Sequence, residues 1–169
     1  MPKTKLHGII FGILMSISMA MGMEIYNTAI NMGFAEQTGS FSSMTNAVFV
    51  SAIPDAFLMA IPVFIFSNLW GNRFGAAFGR RHTNPETDNP YFCTLMRQAG
   101  TIAIMCPTMS LFASIVFQLI LGDRAVSELF AIWIGTMIKN LPMAFFWNMF
   151  VAAPFCRWAF QRILNLLPE

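Results

Sequence analysis

The sequence predicts an all-α, polytopic membrane protein in which four transmembrane helices form two helix hairpins that repeat in parallel. Three observations predict this fold. Of the 169 residues, 56% are hydrophobic and only 11% are charged. Four stretches are long and apolar enough to cross a bilayer, and the two halves of the chain resemble each other. A soluble domain of this size needs a charged shell, which this composition does not supply.

The four predicted spans cover most of the chain. A transmembrane helix needs about 20 mainly apolar residues. The stretches that meet this requirement are residues 6–31, 48–70, 100–121 and 129–156. The first begins like a signal peptide, but its apolar run continues past the small residues near Ala20, so we expect it to be a retained span.

The distribution of basic residues predicts the topology, because Lys and Arg accumulate on the cytoplasmic side of membrane proteins. Those on the predicted inner side are Lys3, Lys5, Arg73, Arg80, Arg81, Arg97, Arg157 and Arg162. The loops on the other side carry only Arg124. We therefore expect a multi-pass protein of the bacterial cytoplasmic membrane with both termini in the cytoplasm.

The two halves align as copies of one another. LMSISMA at residues 14–20 matches IMCPTMS at residues 104–110, and AIPVFIFSN at residues 60–68 matches NLPMAFFWN at residues 140–148. The second match pairs Pro62 with Pro142 and Asn68 with Asn148. Because each half would begin and end on the same side, the repeats should be related by a pseudo-twofold axis along the membrane normal.

This repeat divides the chain into a first helix pair at residues 1–82, a cytoplasmic linker at 83–97 and a second helix pair at 98–169. The stretch RRHTNPETDNPYF contains Pro85 and Pro90 among residues that favour turns, which indicates an irregular connection between the halves.

Small and polar residues follow one face of each odd-numbered span, at spacings of three or four. On the first span they are Ser16, Ala20, Glu24, Asn27 or Thr28, and Asn31; on the third they are Cys106, Ser110, Ser114 and Gln118. Such faces allow helices to approach closely and to share hydrogen bonds. Helix packing alone would explain the small residues, but not a glutamate.

Glu24 needs a further explanation, since an ionised side chain at the centre of a membrane helix costs about 2.5–3.5 kcal/mol even on insertion scales. Asp55, early in the second span, and Lys139, within the fourth, are candidates for the same cluster. Pro142, shortly after Asn140, also leaves one helix carbonyl without its usual donor.

Two interpretations of this cluster stay open. Lys139 could form a structural ion pair with Glu24 or Asp55. Alternatively, Glu24 could be a titratable site that binds a proton and a cationic or polar substrate in turn. Asp55 could also lie in water at the interface. Asn27, Asn140 and Gln118 are further candidates for polar lining.

Aromatic residues and amides mark the inner ends of the even-numbered spans. An aromatic belt accounts for Trp70, Trp147 and Trp158. It does not account for Asn68 and Asn148, which we expect to be buried, and to hydrogen-bond to each other or to line a pathway.

Other chemistry lacks a signal. Cys93, Cys106 and Cys156 have no metal-ligand spacing, and His7 and His82 have no acidic or thiol partner nearby in sequence. The chain contains no HExxH, GxSxG or phosphate-binding loop. We expect no enzyme activity, cofactor, metal or nucleic-acid partner.

The whole chain resembles a domain-of-unknown-function family of small bacterial four-helix membrane proteins built from two tandem helix pairs. The matching stretches are PKTKL, YNTAINMG, IMCPTMSL and NLPMAFFWNMF with the following PFCR. This resemblance implies the architecture and no particular activity.

A second resemblance is to the proteobacterial antimicrobial compound efflux transporters, which have similar length and tandem helix pairs. They carry a Trp-Asn motif with a second Asn four residues on; this chain keeps Asn68 and Asn72 but has Ser67 in place of the Trp. They also have a functional glutamate in the first helix, which is the helix that contains Glu24 in this chain.

The leading functional hypothesis is a small secondary transporter, possibly proton-coupled, for a small organic or cationic compound. Four helices enclose little volume, so we expect a homodimer or higher homo-oligomer within the lipid bilayer. The alternatives are an ion channel or pore, and an accessory membrane subunit in which Glu24 and Lys139 form a structural ion pair.

Overall fold

The computed structural model describes residues 5–35, 45–122 and 125–166, and the regular structure in these ranges is entirely helical. Lys3, Arg124 and residues 36–44 of the first predicted outer loop lie outside the described residues. The α-helices are α1 (Lys5–Ala35), α2 (Asn46–Phe66), α3 (Asn72–His82), α4 (Pro90–Ala113), α5 (Leu129–Trp147) and α6 (Ala153–Leu166). Between them lie π1 (Ser67–Gly71), π2 (Ser114–Ile120), π3 (Asn148–Ala152) and a short 3₁₀ helix (Val126–Glu128).

The number of predicted spans is confirmed. The described residues contain four helices long and apolar enough to cross a membrane: Leu6–Met32, Asn46–His82, Pro90–Gln118 and Val126–Leu164. The second and fourth are longer than predicted, at 37 and 39 residues. A helix of 37 residues is about 55 Å long, whereas the hydrocarbon core is about 30 Å thick. The apolar stretch ends near Trp70, but the amphipathic residues beyond it continue the helix.

The connection between α3 and α4 is short and hydrogen-bonded. Thr83 donates both its N–H and its hydroxyl to the Gly79 carbonyl oxygen, each at 2.9 Å. The Asn89 side chain accepts a hydrogen bond from the N–H of Tyr91 at 2.8 Å. Pro90 occupies the first turn of α4, where a backbone N–H would have no partner within the helix. Between α3 and α4, residues 83–89 are therefore the ones outside helices. Helix α4 begins within the segment that the sequence places in the linker.

The chain packs as two compact units. The first unit contains the described residues of Met1–Phe64 and Phe150–Glu169, and the second unit is Ile65–Met149. The boundaries fall close to π1 and π3, within the two long even-numbered helices. The units therefore divide the chain differently from the sequence repeat.

In the second unit, α4 lies between α3 and α5. The α4–α5 contact is antiparallel: the Trp133 indole donates to the Pro107 carbonyl oxygen at 2.9 Å, and the Cys106 thiol lies 3.9 Å from the Met137 carbonyl oxygen. Pro107 has no N–H to donate to the preceding helical turn. Its carbonyl oxygen accepts the hydrogen bond from the Trp133 indole.

Three glycines bring α3 against α4. Gly71, Gly75 and Gly79 follow one another at intervals of four residues, so they share one face of the helix, and all three are buried. A Cβ at Gly75 would collide with Thr101 Oγ1 and would lie 2.7 Å from the Arg97 carbonyl oxygen. This close approach is the small-residue packing typical of membrane helices.

In the first unit, α1 lies between α6 and α2. Phe160 of α6 makes edge contacts with Phe11 and His7, with centroid distances of 5.6 and 5.9 Å. On the other side, the Phe64 ring of α2 lies against Gly12, and the Ser51 hydroxyl approaches the Met32 sulfur at 3.8 Å. The last two contacts show that α1 and α2 are antiparallel.

The internal construction of the units follows the repeat. In the alignment of the two halves, α4 corresponds to α1, α5 to α2 and α6 to α3. Each unit therefore places an odd-numbered span between segments of the two even-numbered spans. π1 and π3 correspond as well, since they follow the matched prolines Pro62 and Pro142 by five and six residues.

The glycine contact predicts a position-dependent response to one added methyl group. Gly75→Ala should lower the free energy of unfolding by about 1–3 kcal/mol, because the backbone of α4 must shift to admit the Cβ. Gly135→Ala is the matched control, since a Cβ there would have nothing within 4 Å. It should be neutral or stabilising by up to about 1 kcal/mol. Thermal unfolding in detergent measures both, and equal shifts would contradict the predicted close packing.

Candidate functional site

The buried face of α1 carries the candidate carboxylate. Ser16, Ala20 and Glu24 lie one helical turn apart and are all buried, Glu24 with 8% of its surface exposed. The repeat-matched residues of the second unit, Cys106, Ser110 and Ser114, are buried as well. These six positions of the predicted polar stripes thus lie on inward faces. The prediction is wrong for Asn31, at the end of the first stripe, which is exposed.

Asp55 provides the second carboxylate of the first unit. It is half-buried on α2, and it lies close enough to Glu24 for the two carboxylates to repel each other electrostatically. The antiparallel contacts of α1 with α2 explain this proximity, because Glu24 and Asp55 lie between the Gly12–Phe64 contact and the Met32–Ser51 contact.

Two neighbouring carboxylates in an apolar surrounding have a defined chemistry. Their repulsion is strong where water is scarce, since the effective dielectric constant is low. A proton on one of them, or a cation held between them, removes this repulsion. Because a proton and a cation would neutralise the same carboxylates, they should compete for binding to the pair. Asn27, three residues further along α1, is half-buried and adds a polar group on that helix.

Lys139 and Asn140 belong to the second unit. The Lys139 side chain is exposed, whereas Asn140 has only 6% of its surface exposed. Among the residues that the structure describes, the Asn140 Oδ1 atom is buried and has no hydrogen-bond partner. An ion pair between Lys139 and Glu24 remains a prediction, because the two residues belong to different units.

The polar stripe of the second unit satisfies its own hydrogen-bonding groups in part. The Ser114 hydroxyl donates to the Ser110 carbonyl oxygen at 2.7 Å, and the Cys106 sulfur lies 4.0 Å from the Ser110 hydroxyl. Gln118, the other candidate of this stripe, is half-buried within π2. This hydrogen bonding explains why hydroxyl groups are tolerated here.

The two amides of the even-numbered helices have different environments. Asn148 is buried at the beginning of π3, as predicted, but Asn68 is exposed within π1. The expectation that both are buried is therefore wrong for Asn68. The repeat places the two residues in the same type of segment, but the surrounding side chains differ between the copies.

The carboxylate pair occurs in one copy of the repeat only. In the registers that align residues 14–20 with 104–110 and Pro62 with Pro142, Glu24 corresponds to Ser114 and Asp55 to Gly135. The second unit thus forms the equivalent helix contact without either carboxylate. Helix packing alone does not require the pair.

Two features that shape the units were not predicted from the sequence. The series Gly71, Gly75, Gly79 was visible as small residues at intervals of four, a recognised signal for close helix contact. The π segments had no equally direct signal. Such segments are often found at functional sites. The matched positions of π1 and π3 connect those two with the repeat, whereas π2 has no counterpart in α1.

The fold and the buried polar residues define a class. The chain is an all-α protein with four helices long and apolar enough to span a membrane, as in multi-pass membrane proteins, and it carries buried polar faces on the odd-numbered helices. It belongs to the family described as "Domain of unknown function (DUF2798)", whose model matches residues 4–77 and again residues 97–164. The double match confirms the two tandem repeats. No curated protein and no solved structure matches the chain, so the resemblance to efflux transporters gains no support.

A double-mutant cycle should detect the repulsion between Glu24 and Asp55. At alkaline pH, Glu24→Gln and Asp55→Asn should each raise the free energy of unfolding, and the double variant should gain less than the sum. The expected coupling is about 0.5–3 kcal/mol. Thermal unfolding of the four proteins in detergent gives the comparison.

The structural ion pair predicts the opposite result. Removing one partner of a buried ion pair costs about 3–5 kcal/mol, because the other charge is left without compensation. A loss of that size in Glu24→Gln would show that a cation holds the ionised carboxylate, and would contradict the repulsive pair.

Proposed function

We propose that this protein is a small secondary transporter of the bacterial cytoplasmic membrane that exchanges protons for a small organic or cationic compound. The observation that carries the proposal is the buried Glu24, which has a second carboxylate, Asp55, in its neighbourhood within an apolar helix pair. Burying neighbouring carboxylates costs free energy, and helix packing does not need them because the second unit forms the equivalent contact without either one. Costly ionisable residues within membrane spans are generally functional.

Competition for the carboxylate pair supplies the coupling. A proton and a cationic compound both relieve the same repulsion, so the pair holds one or the other. A site that releases its proton when the compound binds, and takes it up when the compound leaves, links the two movements in opposite directions. This is the chemistry of an antiporter.

The other candidate residues have supporting roles in this proposal. Asn27 lines the approach to the pair on α1, while Gln118 and Asn140 offer polar groups in the second unit. Lys139 is an exposed cation of the second unit, and its proposed pairing with a carboxylate is a separate prediction. The unpartnered Asn140 Oδ1, among the described residues, is an acceptor that a donor group of a passing compound would satisfy.

The surroundings of the protein form part of the proposal. The basic residues at the predicted inner ends favour cytoplasmic N and C termini. Because a chain of four spans encloses little volume, we propose a homodimer or higher homo-oligomer as the working form.

Proton flux tests the proposal directly. The protein is reconstituted in liposomes that contain a pH-sensitive dye, and a panel of cationic and polar compounds is added. The wild type should give compound-dependent proton flux, and Glu24→Gln should lose it while remaining folded. Glu86→Gln is the matched control: it makes the same chemical change at an exposed position between α3 and α4, and should leave the flux unchanged.

Other outcomes assign other functions. Undiminished flux in Glu24→Gln would contradict the role of this carboxylate. Conductance that proceeds without a proton gradient or added compound would indicate a channel. A membrane protein that co-purifies in fixed stoichiometry, with no flux in either variant, would indicate an accessory subunit.

A further inference from the structure

The helix α6 has an exposed face that the packing of the first unit does not use. Its buried residues, Ala153, Cys156 and Phe160, face α1, where Phe160 contacts Phe11. A side-chain hydrogen bond also joins Cys156 to Ser18 of α1. The opposite face consists of large aromatic and cationic side chains.

The exposed face combines aromatic rings with arginines. Phe155 and Trp158 have 52% and 56% of their surface exposed, and their ring centroids are 6.1 Å apart. The Arg162 guanidinium lies over the Trp158 ring, 5.8 Å from its centroid, and Arg157 is exposed as well. Tryptophan with arginine is the composition of helices that lie at the boundary between lipid tails and headgroups.

The position of α6 along its span places this face at headgroup depth. The fourth candidate span is 39 residues long, about twice the length that the hydrocarbon core requires. A straight span of this length is about 58 Å long, whereas a bilayer with both headgroup layers is about 40–45 Å thick. The C-terminal helix α6 is therefore the part of the span that extends through the headgroup layer, with Phe155 and Arg157 on the turns nearest the acyl chains.

The charge of α6 selects between kinds of headgroup. The helix contains two arginines and no acidic residue. Guanidinium groups bind phosphate through paired hydrogen bonds, and they attract a net negative lipid over a zwitterionic one. We propose that the exposed face of α6 binds the headgroups of anionic phospholipids, with Arg157 and Arg162 contacting phosphate and the rings of Phe155 and Trp158 contacting the adjacent acyl chains.

The first repeat carries a related arrangement, which supports an interfacial role. Phe78 and His82 of α3 correspond to Trp158 and Arg162 in the repeat alignment. Their rings stack at a centroid distance of 4.1 Å, and both residues are exposed. An aromatic ring next to a basic side chain four residues on thus occurs at this position in both copies.

Lipid-dependent stability of the full chain tests this proposal. Phosphatidylglycerol or phosphatidylcholine is titrated into the protein in nonionic detergent, and the midpoint of thermal unfolding is measured. For the wild type, phosphatidylglycerol should raise the midpoint by about 4 °C more than phosphatidylcholine does. The difference should decrease in high salt, because the contacts are ionic.

Substitutions locate the effect on α6. Arg157→Gln combined with Arg162→Gln should reduce the difference between the two lipids to less than half. The same positions changed to Lys keep the charge and should retain most of it, which controls for folding. Equal midpoints in the two lipids for the wild type, or an unchanged difference in the Gln variant, would overturn the proposal. A midpoint that depends on protein concentration and not on lipid charge would also overturn it, and would indicate a second copy on this face.

Discussion

Helices as apolar as these gain little from burying more apolar surface against one another, because lipid tails offer an equivalent surrounding. Their association depends on close approach of small residues and on polar contacts between helices. The small residues and the polar contacts both lie on the odd-numbered spans or on helices packed against them. In the second unit, Gly71 of π1 and two glycines of α3 admit α4, and the Trp133 indole bonds to a backbone carbonyl. In the first unit, α1 buries Ser16 and Ala20 and bonds to Cys156 through Ser18. The architecture follows from this one constraint.

Glu24 is the residue that this constraint does not explain. It lies on the packing stripe, but it is neither small nor neutral, and its neighbour Asp55 adds a like charge. A stabilising role would require a facing cation, whereas the interaction with Asp55 is unfavourable when both groups are ionised. Ser114 and Gly135 occupy the corresponding positions in the other repeat, so the second unit packs without a carboxylate at either position. Only the first repeat bears the free-energy cost of burying neighbouring carboxylates. This is expected for a functional group and not for residues that serve helix packing.

Hydropathy was sufficient to predict the four spans, and the matched prolines were sufficient to indicate the repeat. The ends of the even-numbered helices were not predictable in this way, since an amphipathic helix continues after the apolar run stops. Burial of Asn68 was wrongly expected, because a repeat preserves local conformation but not the side chains around each position. The closeness of Glu24 and Asp55 depends on the register between α1 and α2, which no periodic pattern encodes. Lys139 could be named as a candidate, but its partner depends on tertiary structure alone.

The restriction of the carboxylate pair to one repeat has a mechanistic consequence. A protein with the pair in both copies would bear the desolvation cost twice, and would hold two sites whose occupancies affect each other through charge. Under the proposed function, one pair per chain would bind one exchangeable positive charge, and the corresponding positions of the second copy, Ser114 and Gly135, would bind none. If transport requires two chains, the assembled protein then has two equivalent sites, one from each chain. The number of protons exchanged would therefore be set by the number of chains and not by the number of repeats.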